Sequence, residues 1–180
     1  MSGDPSQEYF ADGVSEVIVS ALSRFHELLV IARGSSFAFK GKGLELDQIA
    51  ARLGVRYLLN GSLRKAGNRV RVSVELIEAA SGAQIWSDRY DRDLADVFEL
   101  QDEVSRTVAA VIVPAVRGAE IERARRTPPA SLSSYDLYLR ALPHLWAATR
   151  EDIPKAIDLL RQSLAQEPDR APPWQRSRWP

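Results

Sequence analysis

The segment "RVRVSVEL", residues 69–76, alternates without exception. Val70, Val72, Val74 and Leu76 fall on one side, with Arg71, Ser73 and Glu75 opposite. Only a period of two separates these sets, so the segment is a strand with one face buried and one wet. Such a strand belongs to an antiparallel sheet carrying helices on its apolar face. It is the centre of a meander. "RYLLNGSLRK" precedes it and "AQIWSDRYDR" follows it, joined through "AGN" and "ASG", both hairpin-turn compositions.

The flanking segments are helical or linking. Residues 6–25 place Phe10, Val14, Val17, Ile18, Leu22 and Phe25 on one helical face. Asp4 or Ser6 can cap that helix, and Pro5 suits its first turn. "LLVIAR", residues 28–33, opens with five apolar residues in succession and reads as a strand buried on both faces. A loop, "GSSFAFKGKG", leads to a helix over 44–54 that stops at Gly54. Strand, helix, strand predicts a right-handed crossover that sets 28–33 parallel to 56–65. A long helix spans 94–125 with a stripe of Val97, Leu100, Val104, Val108 and Val111, and Pro114 should kink it. "RTPPASLS" is a linker by composition. Helical patterns at 134–148 and 151–166 form a hairpin, and residues 169–180 show no period.

The expected class is therefore α/β of the α+β kind. A mixed sheet of about four strands (28–33, 56–65, 69–79 and 83–90) is covered by helices 6–25, 44–54 and 94–125. The domains are 1–124, a linker at 125–133, a single helix pair at 134–168, and a tail.

Composition narrows the chemistry. Lys+Arg and Asp+Glu are both 24, so no global field steers the chain onto nucleic acid or an anionic membrane. With no cysteine, thiolate metal sites, thiol nucleophiles and disulfides are excluded. No apolar run is long enough to span a bilayer, and the first residues lack a signal-peptide pattern. The chain is expected in the cytoplasm, or in the periplasm had an upstream signal sequence been lost.

No catalytic constellation stands out. His26 and His144 fall in different modules without a partner at metal-ligand spacing. "DRYDRDLADVFE" spaces Asp88 and Glu99 like a calcium loop, but Tyr90, Arg92 and Asp93 occupy positions that need ligands and glycine. The glycine-rich loop offers Arg33, Ser35, Ser36, Lys40 and Lys42 to an anion. Yet six residues separate Gly34 from Gly41, and Gly43 stands where a P-loop needs a hydroxyl. The plainer account is a loop with solvated lysines over tucked Phe37 and Phe39. "NGS" at 60–62 is a sequon lying mid-strand, where Gly61 suggests a bulge. Trp86 and Tyr90 beside Arg89 and Arg92 resemble a stacking strip, but on a neutral domain Trp86 reads as covered by a helix.

Four stretches taken in order carry a family resemblance. They are "SGDPSQEYFADGVSEVIVSALSRF", "LLVIARGSSFAFKGKG", the run from "IAARLGVRYLLNGSLRK" to "DVFELQDEVSRTV", and "SSYDLYLRAL". Together they resemble the bacterial TolB-like N-terminal module, also described as FlgO-like, followed by a tetratricopeptide-type repeat. The resemblance covers residues 1–168. It implies an α/β module with no catalytic residue, cofactor or metal, then helices that dock a protein partner or neighbouring domains through Tyr138, Leu142, Leu145 and Leu160. Such modules often follow a class III adenylate cyclase domain or a winged-helix DNA-binding domain. The implied function is a regulatory, protein-interaction module. The alternatives are a small-ligand or phosphate sensor, or a fragment of an adenylate cyclase whose catalytic domain lies outside the chain. The family's module begins with an apolar strand ahead of the segment that matches Met1. The expectation is a sheet lacking that strand, with an open edge beside 28–33 through which copies could associate.

Overall fold

The computed structural model describes residues 5–93 and 97–167. The suggested cap Asp4, the helix start at Leu94 and the tail at 169–180 lie outside the described residues. Two compact units divide between Ala115 and Val116, inside one helix. The class is mixed α and β, with a three-stranded antiparallel sheet in the first unit and a helical second unit.

The sheet is the predicted meander. Strands β1 (Tyr57–Ala66), β2 (Arg69–Glu78) and β3 (Ala83–Asp93) lie in the order β1-β2-β3. Their turns use glycine where the backbone needs a positive φ: Gly67 at +60° and Gly82 at +68°. Val70, Val72, Val74 and Leu76 of β2 are all buried, as the alternation requires. The register sets Leu63, Val72 and Tyr90 side by side on that apolar face, and Leu59, Leu76 and Trp86 likewise. The bulge lies in β3 rather than at Gly61. The register slips between Leu76 and Ile77, where Ile85 is passed over. Gly61 is in regular pairing, and a Cβ there would come within 3.4 Å of the Ser73 carbonyl oxygen.

Helix α1 (Pro5–Leu22) buries Val14, Ile18 and Leu22 and ends short of the expected residue 25, leaving Phe25 exposed. It lies against β1, as does α3 (Leu46–Leu53), which buries Ala50 and ends in left-handed Gly54 at φ +66°. Helix α4 (Val97–Arg126) buries Leu100, Val104, Val108 and Ile112. Its stripe passes through Ile112 rather than Val111. Arg92, on the apolar side of β3 opposite Val70, donates to Glu103 of α4 at 2.9 Å. This pair ties α4 to the sheet's apolar face. Pro114 lies inside α4, which continues to Arg126.

Two expectations are corrected. Residues 28–32 form no strand, and no parallel pair exists among the described residues. Leu29 is 92% exposed, and residues 33–37 of the expected loop form the short helix α2 (Arg33–Phe37). An unbroken apolar run becomes a buried strand only when a neighbour supplies a ladder and layers cover both faces. Here β1 pairs with β2 alone among the described strands, and no such neighbour flanks 28–32. The sheet therefore has three strands, and among the described strands its edges are β1 and β3, not 28–33.

In the second unit, α5 (Ser134–Ala147) and α6 (Asp152–Gln166) form the expected hairpin. Ser133 caps α5 in a reciprocal box with Asp136. Leu139, Leu142, Ile121 and Ala124 make its core, with Tyr138 against them.

Candidate functional site

The glycine-rich loop delivers two of its cations, Arg33 and Lys40, to acids. Asp12 and Glu16 stand four residues apart on α1, hence on one face. Arg33 bonds Glu16 at 2.9 Å and lies 3.4 Å from Asp12, while Lys40 reaches Asp12 at 2.8 Å. Arg33 also sits 4.7 Å above the Phe37 ring, with Lys40 at 5.5 Å. Ser36 turns its hydroxyl back onto the Arg33 carbonyl at 3.0 Å. Ser35 is exposed, and Lys42 lies over Phe39 at 5.9 Å. The five residues are near one another in sequence, but Arg33 and Lys40 arrive already compensated. An entering anion would have to displace the α1 carboxylates.

The proposed docking residues differ in exposure. Leu142 is buried in the hairpin core, Tyr138 is half-buried against it, and Leu160 is half-buried. Leu145 is exposed. The apolar residues that do face solvent include Trp146 at 59%, Leu164 at 53%, Ile157 and Ile153. Ile153, Ile157 and Leu164, with Leu160 between, are spaced as one helical stripe, a periodicity present in the sequence and passed over there.

The polar constellations of the second unit hold it together. Arg123 donates to Asp136 at 2.6 Å and to Glu120 at 3.1 Å. Burial alone would raise the Asp136 carboxyl. The Ser133 hydroxyl and backbone N–H and the Arg123 guanidinium overcome that and hold it below its ordinary value. Arg140 donates to the carbonyls of Ala124 (2.9 Å) and Thr127 (2.6 Å), closing the C-terminus of α4. His144 Nδ1 lies 2.9 Å from Asp152, whose other oxygen accepts from Thr149. The threonine hydroxyl is thus turned to the acid and not to the imidazole, so no nucleophile–base pair is formed there.

The wet face of the sheet carries the densest polar array in the first unit. Across it the register sets Arg64, Arg71 and Asp91 in one row, Ser62, Ser73 and Arg89 in the next, and Asn60, Glu75 and Ser87 in a third. Asp91 accepts from Arg71 at 2.6 Å and lies 3.3 Å from Arg89. The Arg71 bond, aided by the charges of Arg89 and Arg69, keeps its carboxyl below the usual range. A shallow depression of about 610 Å³ opens beside Ser62, Ser73, Glu75, Ser87 and Arg89. On the opposite face the Tyr90 hydroxyl is buried without a hydrogen-bond partner among the described residues. Burial, with Asp88 nearby, pushes its pKa up to about 12, so it stays protonated. Among the described residues no cluster of three or more His, Cys, Asp or Glu side chains could hold a metal ion, and no helix is long and apolar enough to cross a membrane.

No family model matches the chain. It is 45% identical over 141 residues to a Rhizobium meliloti (strain 1021) protein named "Putative adenylate cyclase 3". The match takes in 78% of this chain and 24% of that protein. The chain thus corresponds to about a quarter of that relative's length.

Proposed function

We propose that this chain is a non-catalytic regulatory module of a bacterial signalling protein, of the TolB-like kind with an appended repeat hairpin. The observation that carries the reading is the match to one quarter of a much longer protein named as a cyclase. In this reading cyclic-nucleotide synthesis belongs to another part of such a protein, and the matched part acts through contacts with neighbours. The exposed stripe on α6 supports that role, because solvent-facing apolar residues at helical spacing are a docking feature. The sensor reading through Arg33 and Lys40 is the weaker one, since both cations are held by α1 carboxylates.

The test is direct. The purified chain, given ATP with magnesium or manganese, is expected to yield no cyclic AMP above a heat-denatured control. Turnover that co-purifies with the chain through successive columns would overturn the reading.

A further inference from the structure

The wet face of the sheet contains an unfavourable juxtaposition. Arg64 of β1 and Arg71 of β2 are directly opposed in the register. Like charges at that position, with Cβ atoms about 5 Å apart, destabilise a strand pair. Asp91 relieves Arg71 from the β3 side. Nothing does so for Arg64, which makes no hydrogen bond or ion pair among the described residues. The next row places Ser62 opposite Ser73 and Ser73 opposite Arg89. Each serine supplies a hydroxyl donor that can rotate toward a ligand.

We propose that Arg64, Arg71 and Arg89, with Ser62 and Ser73, form a binding site for a single phosphate group. Three guanidiniums against Asp91, with Glu75 in the adjoining row, leave a net positive charge that an anion offsets. A phosphate monoester carries three acceptor oxygens and up to two charges near neutral pH. It can therefore take a guanidinium bond on each side and a serine bond beside them, with a third oxygen and a second charge that a carboxylate lacks. Asp91 pre-sets the Arg71 and Arg89 side chains, so less freedom is lost on binding. The site is limited in extent. Glu75 flanks it in one row and Asp93, opposite Arg69, in the other. Those acids repel a continuous polyanion, and no aromatic residue on this face offers a base a stacking partner. The site is thus suited to one isolated phosphate and not to a nucleic-acid strand. It is separate from the loop at 33–42, and the proposal stands apart from the regulatory reading above.

The experiment is a two-dimensional amide and arginine side-chain NMR titration of the full chain. One arm uses inorganic phosphate and the other a short phosphoserine peptide. Saturable shifts centred on Arg64, Ser62, Ser73 and Arg89 are expected, and Arg64→Gln should weaken binding at least tenfold. A tighter peptide than inorganic phosphate identifies a protein-borne group; equal binding identifies free phosphate. No saturation, shifts centred elsewhere, or undiminished binding by Arg64→Gln each overturn the proposal. A thermal melt of Arg64→Gln without ligand is the second measurement. Relief of the Arg64–Arg71 repulsion predicts an unchanged or higher Tm, and a clear fall would show Arg64 to be a structural residue instead.

Discussion

Asp136 shows how much a single side chain settles in the second unit. It accepts from Ser133 and Arg123 and is almost wholly buried, at 7% side-chain exposure. Its partners hold the charged form in place against the cost of burial. A carboxyl whose folded pKa is depressed stabilises the fold fully above the unfolded value of about 3.9. That contribution is lost as pH falls through the folded value. The helical hairpin should therefore keep constant stability down to weakly acidic pH and lose it on further acidification. Asp136→Asn should be less stable at neutral pH and show a flatter acid limb. Helix content followed by circular dichroism across an acid titration checks both; an unaltered acid limb in the variant would assign acid sensitivity to another group. Residue chemistry also bears on Arg33 and Lys40, which pair with acids of α1. Basic residues among glycines suggest an anion site, and the acids that neutralise them come from α1, 17 and 28 positions away.

Single elements obeyed their local signals where those signals were self-sufficient. Alternation made β2, and glycine ended α3. The cap of α5 is of the same kind. Ser133 accepts from the Asp136 N–H, and Asp136 accepts from the Ser133 N–H. Ser133→Ala should cost about 1 kcal/mol, the usual worth of an N-cap. Urea denaturation monitored at 222 nm would read it, and a loss within error would mean that water replaces the hydroxyl. The segment 28–32 is the opposite case. An apolar run specifies burial but not the partner that buries it, and a strand cannot close its own hydrogen bonds. The α6 stripe was likewise written in the sequence as period, yet which of its apolar residues meet α5 and which meet water is a matter of tertiary packing.

At the scale of the whole molecule, charge balance governs solution behaviour. With 24 basic and 24 acidic residues the formal net charge is +0, and the isoelectric point is about 6.8. Charge repulsion that keeps molecules apart is weakest there. Light scattering of the chain should show most association near pH 6.8 and less at pH 8 or above. A scattering profile indifferent to pH would point to association through apolar surface, such as the stripe on α6.

The sequence by itself determined the meander, its apolar and wet faces, the glycine stop of α3 and the terminal hairpin, because each rests on a period or a turn residue within a few positions. It also carried every residue of the phosphate site we propose, as the exposed set of an alternating pattern. Only the tertiary structure decided which of those residues are neighbours. The register fixes Arg64 against Arg71 and Ser62 against Ser73, and it alone turns a list of polar residues into a juxtaposition. It likewise removed the fourth strand and paired Arg33 and Lys40 with α1. Pairing between distant segments depends on which ladder edges and charges the fold brings together, and no local pattern encodes that.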